Sequence, residues 1–188
     1  MTGACPTVTF RAYELSDYEP VAALWTRINR ELAPSHMREL FEQYIAIAVN
    51  GELRQLQEIF SEARRNAFWV AECHAGIIGT FGIESRGHDS TELRRMYLDR
   101  NYRGQCIAQQ MLSRAEQRAR DFGFSRMILS TAEIQMAAIA FYRKSGYRLV
   151  KTEVADAMST KTAGGGLARF HFGKSLMAEQ PVRPGGES

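Results

Sequence analysis

Residues 92–112, ELRRMYLDRNYRGQCIAQQML, change their hydrophobic period within a single turn. Up to Leu98 the side chains alternate, as on a strand. From Ile107 onward, Ile107, Ala108, Met111, Leu112 and Ala115 recur every three or four residues, as on one helix face. Between them, Arg103-Gly104 reads as a tight turn. A strand that runs through a glycine turn into a helix brings the helix's unpaired N–H groups and its positive dipole end to the strand tip. Such a tip suits phosphate, and Arg103 can add charge-assisted contacts. The turn is neither the nucleoside-triphosphate loop G-x-x-x-x-G-K-[ST] nor the dinucleotide fingerprint G-x-G-x-x-G. Gly164-Gly165-Gly166 follows no strand and opens no helix, so it reads as loop.

The rest of the chain is organised around this unit. Val8 to Tyr13 alternates as a first strand. Ser16 with Glu19 three residues on has the capping-box pattern, with Pro20 in the first turn. A helix to about Arg30 follows, with Val21, Leu24, Trp25 and Ile28 on one face. Residues 32–65 are helical in pattern, with Asn50-Gly51 expected to break them. AFWVAEC and GIIGTFGIES form a hairpin through His74-Ala75-Gly76. Thr91 to Leu98 is the next strand. Without a bulge, Glu92, Arg94, Met96 and Leu98 share one side and Leu93, Arg95 and Tyr97 the other; one extra residue would swap the sides beyond it. SRMILST, a helix stopped by Gly146, and two closing strands complete the order. This order gives one α/β domain, residues 6–178, with a mixed sheet and helices on both faces, and a loose tail at 179–188.

Composition narrows the function classes. The 188 residues are 45% hydrophobic and 24% charged, with a formal charge of +3, which is ordinary for a globular chain and far from a nucleic-acid footprint. Acidic residues such as Glu58, Glu62, Glu116 and Asp121 interrupt the arginines, so no basic stripe forms. Cys5, Cys73 and Cys106 show no metal spacing and no paired framework, and four histidines lack any zinc-site pattern, so no metal is expected. No secretory signal or membrane-spanning run stands out, and the expected location is cytoplasmic.

The stretch from Glu92 to Thr131, together with AAIAFYRKSGYRLV, resembles the core of the GNAT superfamily, the Gcn5-related N-acetyltransferases. The resemblance runs from about Phe68 to Val150. It implies a mostly antiparallel sheet of about seven strands flanked by helices, with two central strands splayed apart. The acyl-CoA motif Q/R-x-x-G-x-G/A falls on Arg103, on Cys106 where the motif has glycine, and on Ala108. By resemblance, Arg103, Gly104, Gln105, Cys106, Ile107 and Ala108 cradle the pyrophosphate of coenzyme A through main-chain amides. Cys106 can supply its N–H if it keeps a helical conformation free of left-handed strain. Met96, Tyr97 and Leu98 would run along pantetheine, the amide of Met96 or Leu98 polarising the thioester carbonyl. AIAFYRKSGY is similar to the family's A-I-x-F-Y-x-K-x-G-F signature, which makes Tyr142 the candidate proton donor to the departing thiolate. Gln135 stands where many members have asparagine, contacting pantetheine or the splayed strand.

The implied reaction is transfer of acetyl from acetyl-CoA to a primary amine of a small molecule or peptide. Glu92 is the candidate base from its position in the motif, and a pairing with Arg94 would lower its pKa. His88, His171 or water are the competitors for that role. Trp25, Met37, Phe41 and Tyr44 are candidates for an apolar wall around the acceptor, and Arg27, Arg30, Arg38 and Arg94 for holding a carboxylate. The loop at 155–166 is the other place for an acceptor pocket. A non-catalytic acyl-CoA-binding protein of the same fold is the first alternative, and a nucleic-acid or peptide-binding module the second. A homodimer is a reasonable expectation from the terminal strands of the fold.

Overall fold

The computed structural model describes residues 7–177. Cys5, the first and last residues of the expected 6–178 domain and the 179–188 tail lie outside the described residues. Seven strands form one sheet in the order β1-β2-β3-β4-β5-β7-β6. They are β1 (Thr9–Ala12), β2 (Ala67–Cys73), β3 (Gly76–Ser85), β4 (Ser90–Leu98), β5 (Arg126–Ala132), β6 (Arg148–Ala155) and β7 (Leu167–Ser175). All neighbours are antiparallel except β4 and β5, which run parallel. Helices α1 (Tyr18–Leu32), α2 (Arg38–Ile47) and α3 (Leu56–Ile59) precede β2. Helix α4 (Ile107–Asp121) links β4 to β5, and α5 (Met136–Lys144) links β5 to β6. The expected mixed sheet of about seven strands with helical flanks is the observed one.

Two apolar layers hold the sheet. Ile107, Met111, Leu112 and Ala115 of α4 are almost fully buried and pack with Ile78, Phe81 and Leu93 on one face. Val21 and Trp25 of α1 pack with Phe68 and Val70 on the other. Ala71 belongs to the first layer and Val70 to the second, as the period of two along β2 requires. Truncating Leu112 to alanine would cost about 2–5 kcal/mol, lost transfer energy plus a cavity.

Three local expectations are corrected. Ser16 and Glu19 do not form the capping box. The Glu14 N–H instead donates to Asp17 Oδ2 at 2.9 Å, and Arg11 grips the same carboxylate at 2.7 and 2.8 Å. Asn50-Gly51 does not break the helix: residues Ala48–Glu52 continue it as a π-turn. That wider turn carries Glu52 inward, where it is buried.

The third correction is a bulge in β4. Thr80 pairs with Tyr97 and Gly82 with Arg94, so Phe81 faces both Arg95 and Met96. Arg95 takes a left-handed φ of 49°, which costs about 1–2 kcal/mol for a residue with a Cβ. Its guanidinium offsets that cost through Glu52 at 3.2 and 2.6 Å, Tyr44 Oη at 2.8 Å and the Thr160 carbonyl at 2.7 Å. It also lies 4.7 Å over the Trp25 ring. The extra residue swaps the sides: Leu98 now shares the α4 face with Leu93, while Tyr97 packs with Trp25 on the other.

Candidate active site

The parallel pairing of β4 with β5 covers Ser90–Glu92 against Arg126–Ile128 and then stops. Beyond that point the two strands splay, and the bulge at Arg95 lies three residues past the last pair. A gap between strands leaves main-chain groups without partners. The Asp99 N–H donates to the Ile78 carbonyl at 2.8 Å, toward β3. By alternation, the N–H and C=O of Leu98 face the gap, as do those of Met96. Arg103 Nε fills one of these positions, donating to the Leu98 carbonyl at 3.1 Å.

A cleft of about 410 Å³ occupies the gap, lined by Met96, Tyr97, Leu98, Arg103, Gly104, Ala108, Gln135 and Tyr142 among others. These are the residues assigned to coenzyme A by resemblance. Gln105, Cys106 and Ile107 belong to the turn but do not line the cleft. Cys106 is exposed, and the Ile107 side chain points into the core. Gln110 N–H is the first to bond back into α4, to the Cys106 carbonyl at 3.1 Å, so the N–H groups of Ile107, Ala108 and Gln109 stand at the open helix end. Gln135 contacts the splayed strand: its Oε1 accepts from Thr131 Oγ1 at 2.7 Å and the Ala132 N–H at 3.1 Å.

The conformation expected of Cys106 is overturned. It is not helical but left-handed, φ 59° and ψ 4°, at the N-cap of α4. Gly104 is also left-handed, φ 76°, with open space where a Cβ would sit. The glycine is required there by dihedral angle, not by crowding. At Cys106 the same turn demands a conformation that a cysteine adopts only with strain.

On the other side of Tyr97, a second cavity of about 120 Å³ adjoins the cleft and shares Met96, Gln135 and Tyr142 with it. Phe41 and Arg94, two of the residues expected to meet the acceptor, line it together with Glu92, the candidate base. Tyr44 lines it as well, and Met37 packs with Phe41 and Tyr44 in a small apolar cluster behind them. Trp25 does not line either cavity: it is fully buried, and its Nε1 donates to Thr80 Oγ1 at 3.0 Å. Its helix face looks at the sheet, so it is core. His171 lies outside both cavities, its Nε2 2.9 Å from Glu153 Oε1. His88 contributes a carbonyl to Arg65 and lines neither cavity. Arg27 and Arg30 are spent on Asp99 and Glu42 at 2.5 and 2.7 Å.

The smaller cavity is held by charge. Glu92 accepts from Lys161 Nζ and from Arg86 Nε, each at 2.6 Å. Burial pushes its carboxyl up, but Lys161, Arg86 and Arg94 outweigh burial and hold it below the usual carboxylate range. Burial dominates for Lys161 and lowers its ammonium. A depressed carboxylate is a weak base, which counts against Glu92 as the proton acceptor. Arg94 is likewise occupied, bonded to Glu84 and to Glu52 at 3.0 and 3.1 Å. Burial and the neighbouring Tyr97 push the Tyr142 hydroxyl well above its ordinary value, so it stays protonated. Lys161, from the 155–166 loop expected to help build an acceptor pocket, and Arg169, which was not singled out in the sequence, also line this cavity. The signal for Arg169 was its place two residues from Leu167 on one strand, hence on the same face.

The match to known proteins follows the same geometry. The family model described as the Acetyltransferase (GNAT) family matches residues 21–147. The chain is 29% identical over 116 residues to N-acetylaspartate synthetase of Danio rerio, covering 61% of this chain and 41% of that protein. It is 29% identical over 111 residues to N-acetyltransferase 8B of Homo sapiens, covering 56% of this chain and 49% of that one. The chain thus spans about half the length of the curated relatives it matches. Among solved structures, the paia N-acetyltransferase from Thermoplasma acidophilum in complex with coenzyme A superposes with a TM-score of 0.68 at 19% identity, covering 90% of this chain and 99% of that one. That likeness is one of fold. With a family match spanning β2 to α5 and most of α1, this chain belongs to the GNAT acetyltransferase family.

Proposed function

We propose that the protein is an acetyl-CoA-dependent N-acetyltransferase acting on a primary amine. The observation that carries this reading is the continuity of the two cavities across Met96, Gln135 and Tyr142. One cavity opens onto unpaired main-chain donors, the other onto charged side chains. The residues fit acyl-CoA: the N–H groups at the start of α4 suit the pyrophosphate, and the free edge of β4 suits the pantetheine amides. When bound, acetyl-CoA supplies an acetyl thioester as acyl donor.

The chain's own groups then have defined tasks. The inward N–H of Met96 or Leu98 donates to the thioester oxygen as negative charge develops there. The cavity lined by Phe41 and Arg94 positions the amine for attack, so that a C–N bond forms as the C–S bond breaks. Tyr142 donates a hydrogen bond to the departing sulfur. A hydroxyl held well above its ordinary pKa stays protonated at any working pH, so it is always available as that donor. Full transfer of its proton to a thiolate of pKa about 8.5 is uphill, and stabilisation by hydrogen bonding is the larger part of its role. The amine sheds its proton to water, since Glu92 is held ionised by Lys161 and Arg86.

A thiol-release assay over a panel of amines tests the reading. Coenzyme A release that depends on an amine, falling about 100-fold in Tyr142→Phe with acetyl-CoA affinity retained, is the expected result. Acetyl-CoA binding with no release for any amine would overturn the enzyme reading in favour of an acyl-CoA-binding protein of the same fold.

A further inference from the structure

The charges around the acceptor cavity do not balance, and the imbalance falls on one residue. Glu84 is shared by Arg86 and Arg94, Glu52 by Arg94 and Arg95, and Glu92 by Arg86 and Lys161. Every one of these carboxylates therefore serves two cations, and none of them pairs with Arg169. Glu153, the next acid along the sheet, is engaged by Lys151 and His171. Arg169 is 7% exposed and lines the cavity from β7. It donates to the Lys161 carbonyl and to Ser130 Oγ, and makes no ion pair among the described residues. Five cations thus stand against three carboxylates around one small space, an excess of two positive charges.

A guanidinium does not escape the problem by losing its proton. Left buried without a counter-ion, it is among the costlier features a fold can carry, and a partner that supplies a carboxylate relieves it. Planar two-point recognition of a carboxylate is what a guanidinium does best. We infer that the acceptor is an amino acid whose carboxylate seats on Arg169 beside Lys161, with its amine directed toward Met96 and Tyr142. This rests on the acyl-transfer reading of the same site. The excess positive charge works against a polyamine, which would bring further cations into a site already positive. It also favours the neutral form of the bound amine, the form that attacks, which suits a cavity whose one lining carboxylate, Glu92, is occupied.

Matched acceptors test the inference. The protein is assayed for coenzyme A release with the common amino acids and with their carboxamides, which keep the amine and lose the charge. The best amino acid should exceed its carboxamide by about 100-fold in kcat/KM. Arg169→Gln should remove most of that preference, while acetyl-CoA affinity by calorimetry moves less than about threefold. Lys161→Met, at a less buried site, should lower the preference about tenfold and serves if Arg169→Gln does not fold. Equal rates for acids and carboxamides, or polyamines as the best acceptors, would overturn the inference and leave the acyl-transfer reading standing. If no amine releases coenzyme A, that reading fails by itself. The carboxylate seat is then decided by calorimetry of N-acetylamino acids against N-acetylamino amides in the presence of coenzyme A. Preference for the acids supports the seat, and equal or absent binding overturns it.

Discussion

The two ends of the gap between β4 and β5 are built from different materials. The cofactor end is main chain: the N–H groups of Met96 and Leu98 and the open end of α4, arranged by a left-handed Gly104 and Cys106 within a dozen residues. The acceptor end is side chain: Glu52 from the π-turn after α2, Glu92, Arg94 and Arg95 from β4, Lys161 from the loop before β7 and Arg169 from β7 itself. Main-chain donors are indifferent to which side chains carry them, provided the dihedral angles are met. A network of ion pairs depends on every member. The first end should therefore tolerate substitution and the second should not.

Glu52→Gln attacks the second end most severely. It leaves Arg94 and Arg95 short of a shared buried carboxylate and removes what holds the strained bulge in place. The expected loss is about 3–5 kcal/mol of unfolding free energy, read by chemical denaturation. A loss below about 1 kcal/mol, as for an exposed pair, would mean that the network does not carry the acceptor wall.

At the cofactor end, Gly104→Ala tests the dihedral requirement where space is open. Forcing a Cβ into φ 76° should weaken acetyl-CoA binding about five- to tenfold by displacing the turn, a cost of about 1–2 kcal/mol. The reverse change, Cys106→Gly, relieves the strain of the left-handed cysteine. It should raise stability by about 1 kcal/mol and leave acetyl-CoA affinity equal or better. Cys106→Gly weakening the complex would show that the cysteine side chain, and not the backbone, is used.

The smallest effect is on pH dependence. Glu92 has its carboxyl lowered from the ordinary 4.5 by Lys161, Arg86 and Arg94. Below 4.5 the unfolded chain binds the extra proton first, so the contribution is complete above that value and is lost as pH falls through the lowered folded-state pKa. Glu92→Gln should flatten the acid side of the stability profile below 4.5 and leave the neutral side parallel to the parent. A change confined to neutral pH would contradict the ion pairing.

The same division explains what could be read from the sequence. Residues 97–108 carry local signals, a change of period and a glycine turn, so the turn from Arg103 to Ala108 was legible from pattern alone, while Met96, Leu98 and Tyr142 were legible only through the family resemblance. The side assignment in β4 was not, because a bulge at Arg95 is stabilised by Glu52, 43 positions away in the chain. Nothing in residues 91–98 alone favours a left-handed arginine. Trp25 was placed on the correct helix face, but local spacing cannot say whether that face meets the sheet or a cavity. Lys161 lay within the 155–166 loop read as a place for an acceptor pocket and Arg169 on the face of Leu167, but that the two meet at one cavity is set by tertiary contact. Cys106 was expected to keep a helical conformation, whereas the turn holds it left-handed, and no local side-chain pattern signals that dihedral angle.

Amide hydrogen exchange with and without acetyl-CoA tests the central claim most directly, since the claim is that backbone donors in the gap hold the acyl donor. Slowed exchange concentrated at Met96 to Leu98 and at Ile107 to Gln109, with the edge strand β6 unchanged, is the result this account predicts. Saturating acetyl-CoA that leaves those amides exchanging as before would contradict it.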